Sequence, residues 1–416
     1  MTPIPQDKSL DSTLALLLEG NQFISNRSRR YHSRIFQTRL LFQSFICLVG
    51  PEAAKIFYDN ERFERQGAAP ARMQKTLTGQ GGVQSLEGET HRRRKQMFMS
   101  LMTPERMQQL AALSADQWRA YADTWATMDR VVLFYEAQEI ISRAVCAWAG
   151  VPLKEDEVMQ RTGEFAAMID SAGGAGPRHW QGRRARASSE RWIGDLIEQV
   201  RARTLRPDPP SALHVIATHR DPDGELLSPR VAAVELINVL RPTVAVARFV
   251  IFAALALHEH PQERQKLQTG GDTYVELFVQ EVRRFYPFFP FVAARVRQAF
   301  DWHGYHFPSG RKVLLDLYGT NHDPQVWDHP DEFRPERFRH WDQSPFNFIP
   351  QGGGDHYQGH RCPGEWITIE LMKVALRFLT TSITYDVPPQ DLRISPSRMP
   401  TIPRSRFVIS NVRRIG

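Results

Sequence analysis

The chain has 416 residues, with 53 Lys+Arg against 46 Asp+Glu and a net charge of +7. Hydrophobic residues make up 42% and charged residues 24%, close to the globular norm, which excludes disordered, fibrous and collagen-like classes. The mild positive charge is spread out with no basic tail, and three scattered cysteines without a CxxC pair argue against a disulfide scaffold or a structural zinc site.

In chain order, the N-terminal apolar stretch is too short for a secretory core and has no basic start. No run reaches the ~18–20 apolar residues of a membrane span, so a reducing, cytoplasmic setting is expected. Helical spacing of apolar residues predicts helices over 105–126, 131–149, 153–170 and 186–206. The basic, glycine-bearing stretch Gly173–Arg186 reads as a loop, and 207–227 as a surface connection. The strongest predicted helix spans 229–259. It opens at Ser228-Pro229, a cap followed by a first-turn proline, and is apolar on nearly all sides, so it should cross the interior. A helix over 273–286 stops at Pro287. Short strands are expected at 296–307 and 311–317, then a Pro- and Asp-rich meander, a Gly-rich loop around Cys362 and a helix over 363–382. The composition is continuous and no linker interrupts it. This favours one large domain over 1–416, predominantly α with a small β annex.

The segment FNFIPQGGGDHYQGHRCPGEWITIELMK holds the main chemical signal. Cys362 lies directly before a predicted helix, whose exposed amides and positive end favour a thiolate. His360 and Arg361 add positive charge, and glycines at 352–354, 359 and 364 allow backbone to approach a flat ligand closely. Cys47 and Cys146 sit in apolar contexts and read as core.

This loop resembles the haem-binding loop of the cytochromes P450, in which a cysteine thiolate is the proximal iron ligand. Glu281-Val-Arg-Arg284 matches that family's ExxR motif, and Arg337, in Arg334-Pro-Glu-Arg337-Phe338, matches its PERF-type arginine. The resemblance runs from about residue 10 to the end of the chain. It implies a triangular prism of helices around a buried haem b, with Cys362 on the iron. It also implies a structural network of Glu281, Arg284 and Arg337, a carboxylate forked between two guanidiniums.

Two departures carry functional information. The family's aromatic seven residues before the cysteine is Asp355 here, and the nearest upstream phenylalanine is Phe348, so the loop is longer. The acid–alcohol pair that delivers protons in ordinary members is absent from Leu240-Arg241-Pro242-Thr243-Val244-Ala245-Val246. Proline inside a helix costs about 3 kcal/mol and predicts a kink. Arg241 precedes it on an apolar helix with no Asp or Glu one turn away, and an unpaired buried guanidinium is expensive, so something anionic must meet it. A distant protein carboxylate, a haem propionate or a ligand carboxylate would serve, and Arg248, seven residues on, is an alternative cation.

Together these departures resemble the bacterial fatty-acid peroxygenase group of the family. By that resemblance Arg241, in the Arg241-Pro242 pair, holds a fatty-acid carboxylate above the haem, and the carboxylate supplies the missing acid–base group. Hydrogen peroxide would then be used with no redox-partner protein. Gln84 falls where decarboxylating members carry histidine and hydroxylating ones glutamine. A glutamine cannot donate a proton as imidazolium does, so hydroxylation is expected. Thr78 departs from the phenylalanine of β-hydroxylating members, and TLTGQGGVQ, ELINVLRPTVA and RRFYPFFP look closest to the α-hydroxylating member. His91 and Lys95, one helical turn apart, with Tyr286 and His360, are the implied propionate contacts. The basic run Arg92-Arg93-Arg94 lacks interleaved aromatics, so no nucleic-acid partner is expected. The acyl tunnel is expected to involve Leu77, Thr78, Ile169, Ala172, Ala245, Phe288 and Phe289. The expected partners are therefore a fatty acid and hydrogen peroxide. Alternatives are 3-hydroxylation, decarboxylation, or a monooxygenase fed by redox partners.

Overall fold

The computed structural model describes residues 3–172, 176–395 and 398–415. Most of the described chain is helical, and the strands gather in small sheets at the edge. Helices Pro104–Trp125, Leu133–Ala149, Pro229–Ala245, Ala247–Glu259, Gly271–Phe285 and Glu365–Arg377 enclose the main apolar core. The Pro229–Glu259 run is apolar and long enough to cross a membrane by composition, but its side chains are almost wholly buried among the other helices.

The predicted 229–259 helix is two helices joined at Val246. Ser228 caps the first, its hydroxyl accepting from the amide of Val231 at 3.3 Å. Pro242 lies inside it and cannot donate to the carbonyl of Asn238. Thr243 donates its hydroxyl to the carbonyl of Val239 at 2.8 Å, a back-bond that itself bends helices. The ladder then breaks one residue past Ala245.

Three sequence expectations are corrected. Much of the stretch taken as the loop Gly173–Arg186 is the first part of a long helix, Pro177–Arg201; residues 173–175 lie outside the described residues. Pro177 sits in its first turn after Gly176 at φ 62°, a start signal that the basic composition masked. Gly182 does not break that helix. A Cβ there would fall 2.1 Å from Ser171 Oγ, so the glycine allows close packing on the Val158–Asp170 helix. The 207–227 connection contains a short helix, Ala212–Thr218, capped by Ser211 and buried through Ala212, Leu213, Ile216 and Ala217. The expected 296–307 strand is instead the end of Phe291–Val296 followed by the hairpin Phe300–Trp302 and Tyr305–Phe307.

The larger sheet orders its strands Ile35–Leu40, Gln43–Leu48, Lys312–Asp316, Phe291–Val296 and Phe63–Glu64. Gln43–Leu48 runs parallel to Lys312–Asp316, with Cys47 opposite Leu314. This pairing ties the N-terminal part of the chain to the segment just ahead of the meander. A three-stranded sheet joins Val131–Val132, Val408–Arg414 and Ile383–Asp386.

Candidate functional site

The loop of Cys362 is held by its own backbone and by an ion-pair chain. The amide of Cys362 donates to the carbonyl of Gln351 at 3.2 Å, and Gln351 Nε2 lies 3.8 Å from Cys362 Sγ. Gln351 also reaches Thr368 Oγ1 at 3.0 Å on the following helix. Burial opposes the charge of Glu365, but Arg283 and Arg361 hold it ionised, down to about 2. Burial raises the Cys362 thiol, opposed by the Gly364 amide and by the charges of Lys95 and Arg283. The site therefore offers a thiol that an approaching cation must deprotonate, with donors already arranged for the thiolate.

The glycines at 352–354 serve a different purpose from the one expected of them. A Cβ on Gly352 or Gly354 would press on Tyr58, and one on Gly353 would fall 2.5 Å from the carbonyl oxygen of Pro345. They make room for protein, whereas a Cβ on Gly364 would meet Cys362 Sγ at 4.0 Å. Asp355 closes the lengthened loop as a turn, accepting from the amides of Tyr357 at 2.8 Å and Gln358 at 2.6 Å.

Behind this loop Glu281 is fully buried between two guanidiniums. Arg284 grips it with two bonds of 2.7 and 2.8 Å, and Arg337 Nε meets it at 3.2 Å. The same two arginines donate to the carbonyls of Asn321, Asp328, His329, Pro330 and Glu332, so the carboxylate fixes the whole meander. Glu281→Gln is expected to lose about 3–5 kcal/mol of stability, because it leaves buried cations facing a neutral amide; urea unfolding of the purified variant measures this.

A cationic cluster faces the cysteine from the Gly88–Ser100 helix. Lys95 donates to the carbonyl of Arg361, and the rings of His91 and His360 lie 4.0 Å apart. Burial, then neighbouring cations, lower His91 to about 4 and His360 to about 2; burial lowers Lys95 to about 8. Arg65 belongs to this cluster and gave no sequence signal. Its guanidinium covers the rings of Phe57 and Tyr58 and adds to the repulsion felt by both histidines. Glu87 lies 3.9 Å from His360, and Asp355 and Glu365 also act on Lys95. Lys95 and Arg65 carry the positive charge and the two imidazoles are neutral at pH 7, and this desolvated set of cations and ring nitrogens fits a dianionic edge. Tyr286 is not brought there: its hydroxyl donates to Glu259 at 3.0 Å and its ring stacks on Phe252, which corrects its expected place among the propionate contacts.

On the Pro229–Ala245 helix, Arg241 is 6% exposed. Its Nη2 makes a long 3.4 Å bond to Asn238 Oδ1, and its Nε is buried with no partner among the described residues. Burial, then the charge of Arg186, lower it to about 9, while Cys362 pulls the other way. It remains a cation at neutral pH. Glu235 is spent elsewhere, on Arg94 at 2.7 Å and on the amide of Val83 at 2.9 Å. Asn238 bridges Glu235 at 3.2 Å and Gln84 Oε1 at 3.3 Å, so Gln84 joins the polar group around Arg241. The bridging role of Asn238 escaped the sequence reading. Arg248 is already answered by Asp170 and stands over the ring of Phe134, which removes it as the free cation. Ala245 is buried one turn beyond Arg241, and the Thr243 hydroxyl is committed to the backbone.

The turn Gln74–Thr78 carries Leu77 and Thr78 and packs on the Val158–Asp170 and Pro177–Arg201 helices. Leu77 and Ile169 are buried; Thr78 and Ala172 are half-buried. Phe288 stacks on Phe249 at 4.9 Å and meets Phe289 edge-on at 4.7 Å.

The family model described as Cytochrome P450 matches residues 270–402, the stretch from the ExxR helix through the cysteine loop. With the likeness to solved members below, this chain belongs to the cytochrome P450 family. It is 54% identical to cytochrome P450SP alpha (CYP152B1) in complex with (R)-ibuprofen, covering 97% of this chain and 99% of that one, with a TM-score of 0.95. It is 47% identical to cytochrome P450EX alpha (CYP152N1) with myristic acid, covering 100% of both, with a TM-score of 0.97. It is 37% identical to a variant of cytochrome P450 OleT in complex with arachidonic acid, covering 100% and 99%, with a TM-score of 0.97. These neighbours are CYP152 peroxygenases, the bacterial fatty-acid group that the motifs resemble. Members of the family bind haem b. The residues here fit that group: Cys362 could hold the iron, and Lys95, His91, His360 and Arg65 the propionates.

Proposed function

We propose that this chain, as one haem domain over residues 1–416, uses hydrogen peroxide to hydroxylate long-chain fatty acids mainly at C2. A fatty acid and peroxide become a 2-hydroxy fatty acid and water. The observation that carries this reading is the buried Arg241 guanidinium, which meets no carboxylate among the described residues. The three solved relatives above each hold a carboxylic acid, which supports a carboxylate as its partner.

Arg241 binds the substrate carboxylate with a charge-assisted fork and orients C2 toward the cysteine side. The bound carboxylate moves a proton from one peroxide oxygen to the other, so that water leaves; the chain itself contributes neither acid nor free hydroxyl at Ala245 or Thr243. Cys362 would hold a haem whose iron would supply the chemistry for splitting the peroxide bond. Gln84 holds the loop against Asn238 and offers no titrating proton, which favours hydroxylation over decarboxylation. Peroxide turnover then waits for substrate, because the acid–base group arrives with it.

Product analysis with myristic acid and peroxide, without reductase, tests the reading. 2-Hydroxymyristate as the main product is expected. A terminal alkene or 3-hydroxymyristate would move the chemistry to another carbon, and turnover only with ferredoxin and reductase would overturn the reading.

A further inference from the structure

Arg186 sits on the Pro177–Arg201 helix at 3% exposure. Its Nε donates to Glu190 at 2.6 Å and its Nη1 to the carbonyl of Leu77 at 3.0 Å. Its Nη2 is buried without a partner among the described residues. The fit depends on Gly79, at φ 79°. A Cβ there would fall 2.1 Å from Arg186 Nη2 and 2.6 Å from Val234 Cγ1. The guanidinium is therefore wedged between the Leu77–Gly79 turn and the central helix. Val234 and Arg241 are two turns apart on one face of that helix, so the two cations share a wall.

Charge agrees with this geometry. Arg186 is the neighbour that most opposes the charge of Arg241, after burial itself. The bonded carboxylate, Glu190, has its side chain 21% exposed, where water screens it, and Glu235, which also acts on Arg186, is paired with Arg94. The inner end of Arg186 stays electropositive beside Arg241.

We propose that Arg186 is a positioning residue for the carboxylate site. Through the Leu77 carbonyl it fixes the turn that carries Leu77 and Thr78, and it sets a second positive charge beside Arg241, so that the site selects anionic over neutral head groups. This rests on the reading of Arg241 given above.

The test compares binding of myristic acid with that of 1-tetradecanol, the neutral ligand of the same chain length, to the haem-loaded protein. The 2- to 3-hydroxymyristate ratio is the second readout. Arg186→Met should weaken myristic acid about tenfold while leaving 1-tetradecanol within about twofold. The product ratio should shift toward C3 as the wall loosens. Arg186→Lys should keep the preference for the acid and still shift the ratio, since a lysine keeps the charge and loses the fork. Equal weakening of both ligands by Arg186→Met would mean a merely structural role and overturn the proposal, as would an unchanged preference. If Arg186→Met fails to fold, an unchanged product ratio in Arg186→Lys overturns it. If the wild-type protein shows no preference for the acid, the Arg241 reading itself fails, a result distinct from a failure of Arg186 alone.

Discussion

Arg241→Ala is expected to abolish peroxide-driven turnover of fatty acid in a protein that still folds and retains haem. Loss of a charge-assisted pair with a carboxylate should weaken myristic acid binding by about 1.5–3 kcal/mol, or roughly ten- to a hundredfold. Loss of the positioned carboxylate should also remove an acid–base contribution of roughly 10²–10⁴ in rate. Stability should move the other way or stay level, because the variant no longer buries a guanidinium whose Nε has no partner. Binding, turnover and thermal midpoint measured on one preparation separate the effects. Near-normal turnover would remove Arg241 from the reaction, and a large drop in stability would make it a structural cation.

The other buried arginines give this prediction its force. Arg94 is answered by Glu235 and Asp221, Arg283 by Glu365, Arg284 by Glu281 and Arg248 by Asp170. Arg106 has no ion pair among the described residues, but its head group donates to the carbonyl of Trp148 and stands over that ring at 4.6 Å. Arg241 has only a 3.4 Å contact to an amide oxygen. Among the described residues those guanidiniums each have a carboxylate or a backbone carbonyl as partner, and Arg241 has neither.

Part of this was legible in the chain and part was not, for physical reasons. Glu281 and Arg284 lie one helical turn apart, and Cys362 sits beside the helix it precedes, so local spacing already puts these groups in place. Arg241 stood out because a permanent charge on an apolar helix contradicts the pattern around it. Arg186 could not be seen, since its partner Leu77 is 109 residues away and its space exists only because Gly79 lacks a Cβ. Gln351 likewise takes its place from a partner far along the chain, Arg283, and Arg65 acts on His360 across the fold although its ring contacts are local. The Pro177–Arg201 helix was misread because glycine and basic residues weighed as loop signals, whereas Gly182 serves contact with Ser171. The parallel pairing of Gln43–Leu48 with Lys312–Asp316 leaves no local trace at all, as register across such a separation is set by the assembled core.

Cys362→Ala is expected to lose the thiolate-type absorption spectrum and all peroxide turnover, with a lower haem-to-protein ratio. The fold should survive, because the loop is held by contacts that do not pass through sulfur. The Cys362 amide stays on Gln351, Glu365 stays on Arg283 and Arg361, and Tyr58 still fills the space beside Gly352 and Gly354. No other thiol can substitute: Cys47 and Cys146 are fully buried, and burial alone holds Cys146 up at about 12. Any haem that remains would rest on its propionate contacts to Lys95, His91, His360 and Arg65, so weak retention with an altered spectrum is the expected outcome. The absorption spectrum and haem content of the purified variant, beside its helical circular dichroism, decide the matter. A thiolate-type spectrum that persists in a folded Cys362→Ala protein would refute the assignment of Cys362 as the iron ligand.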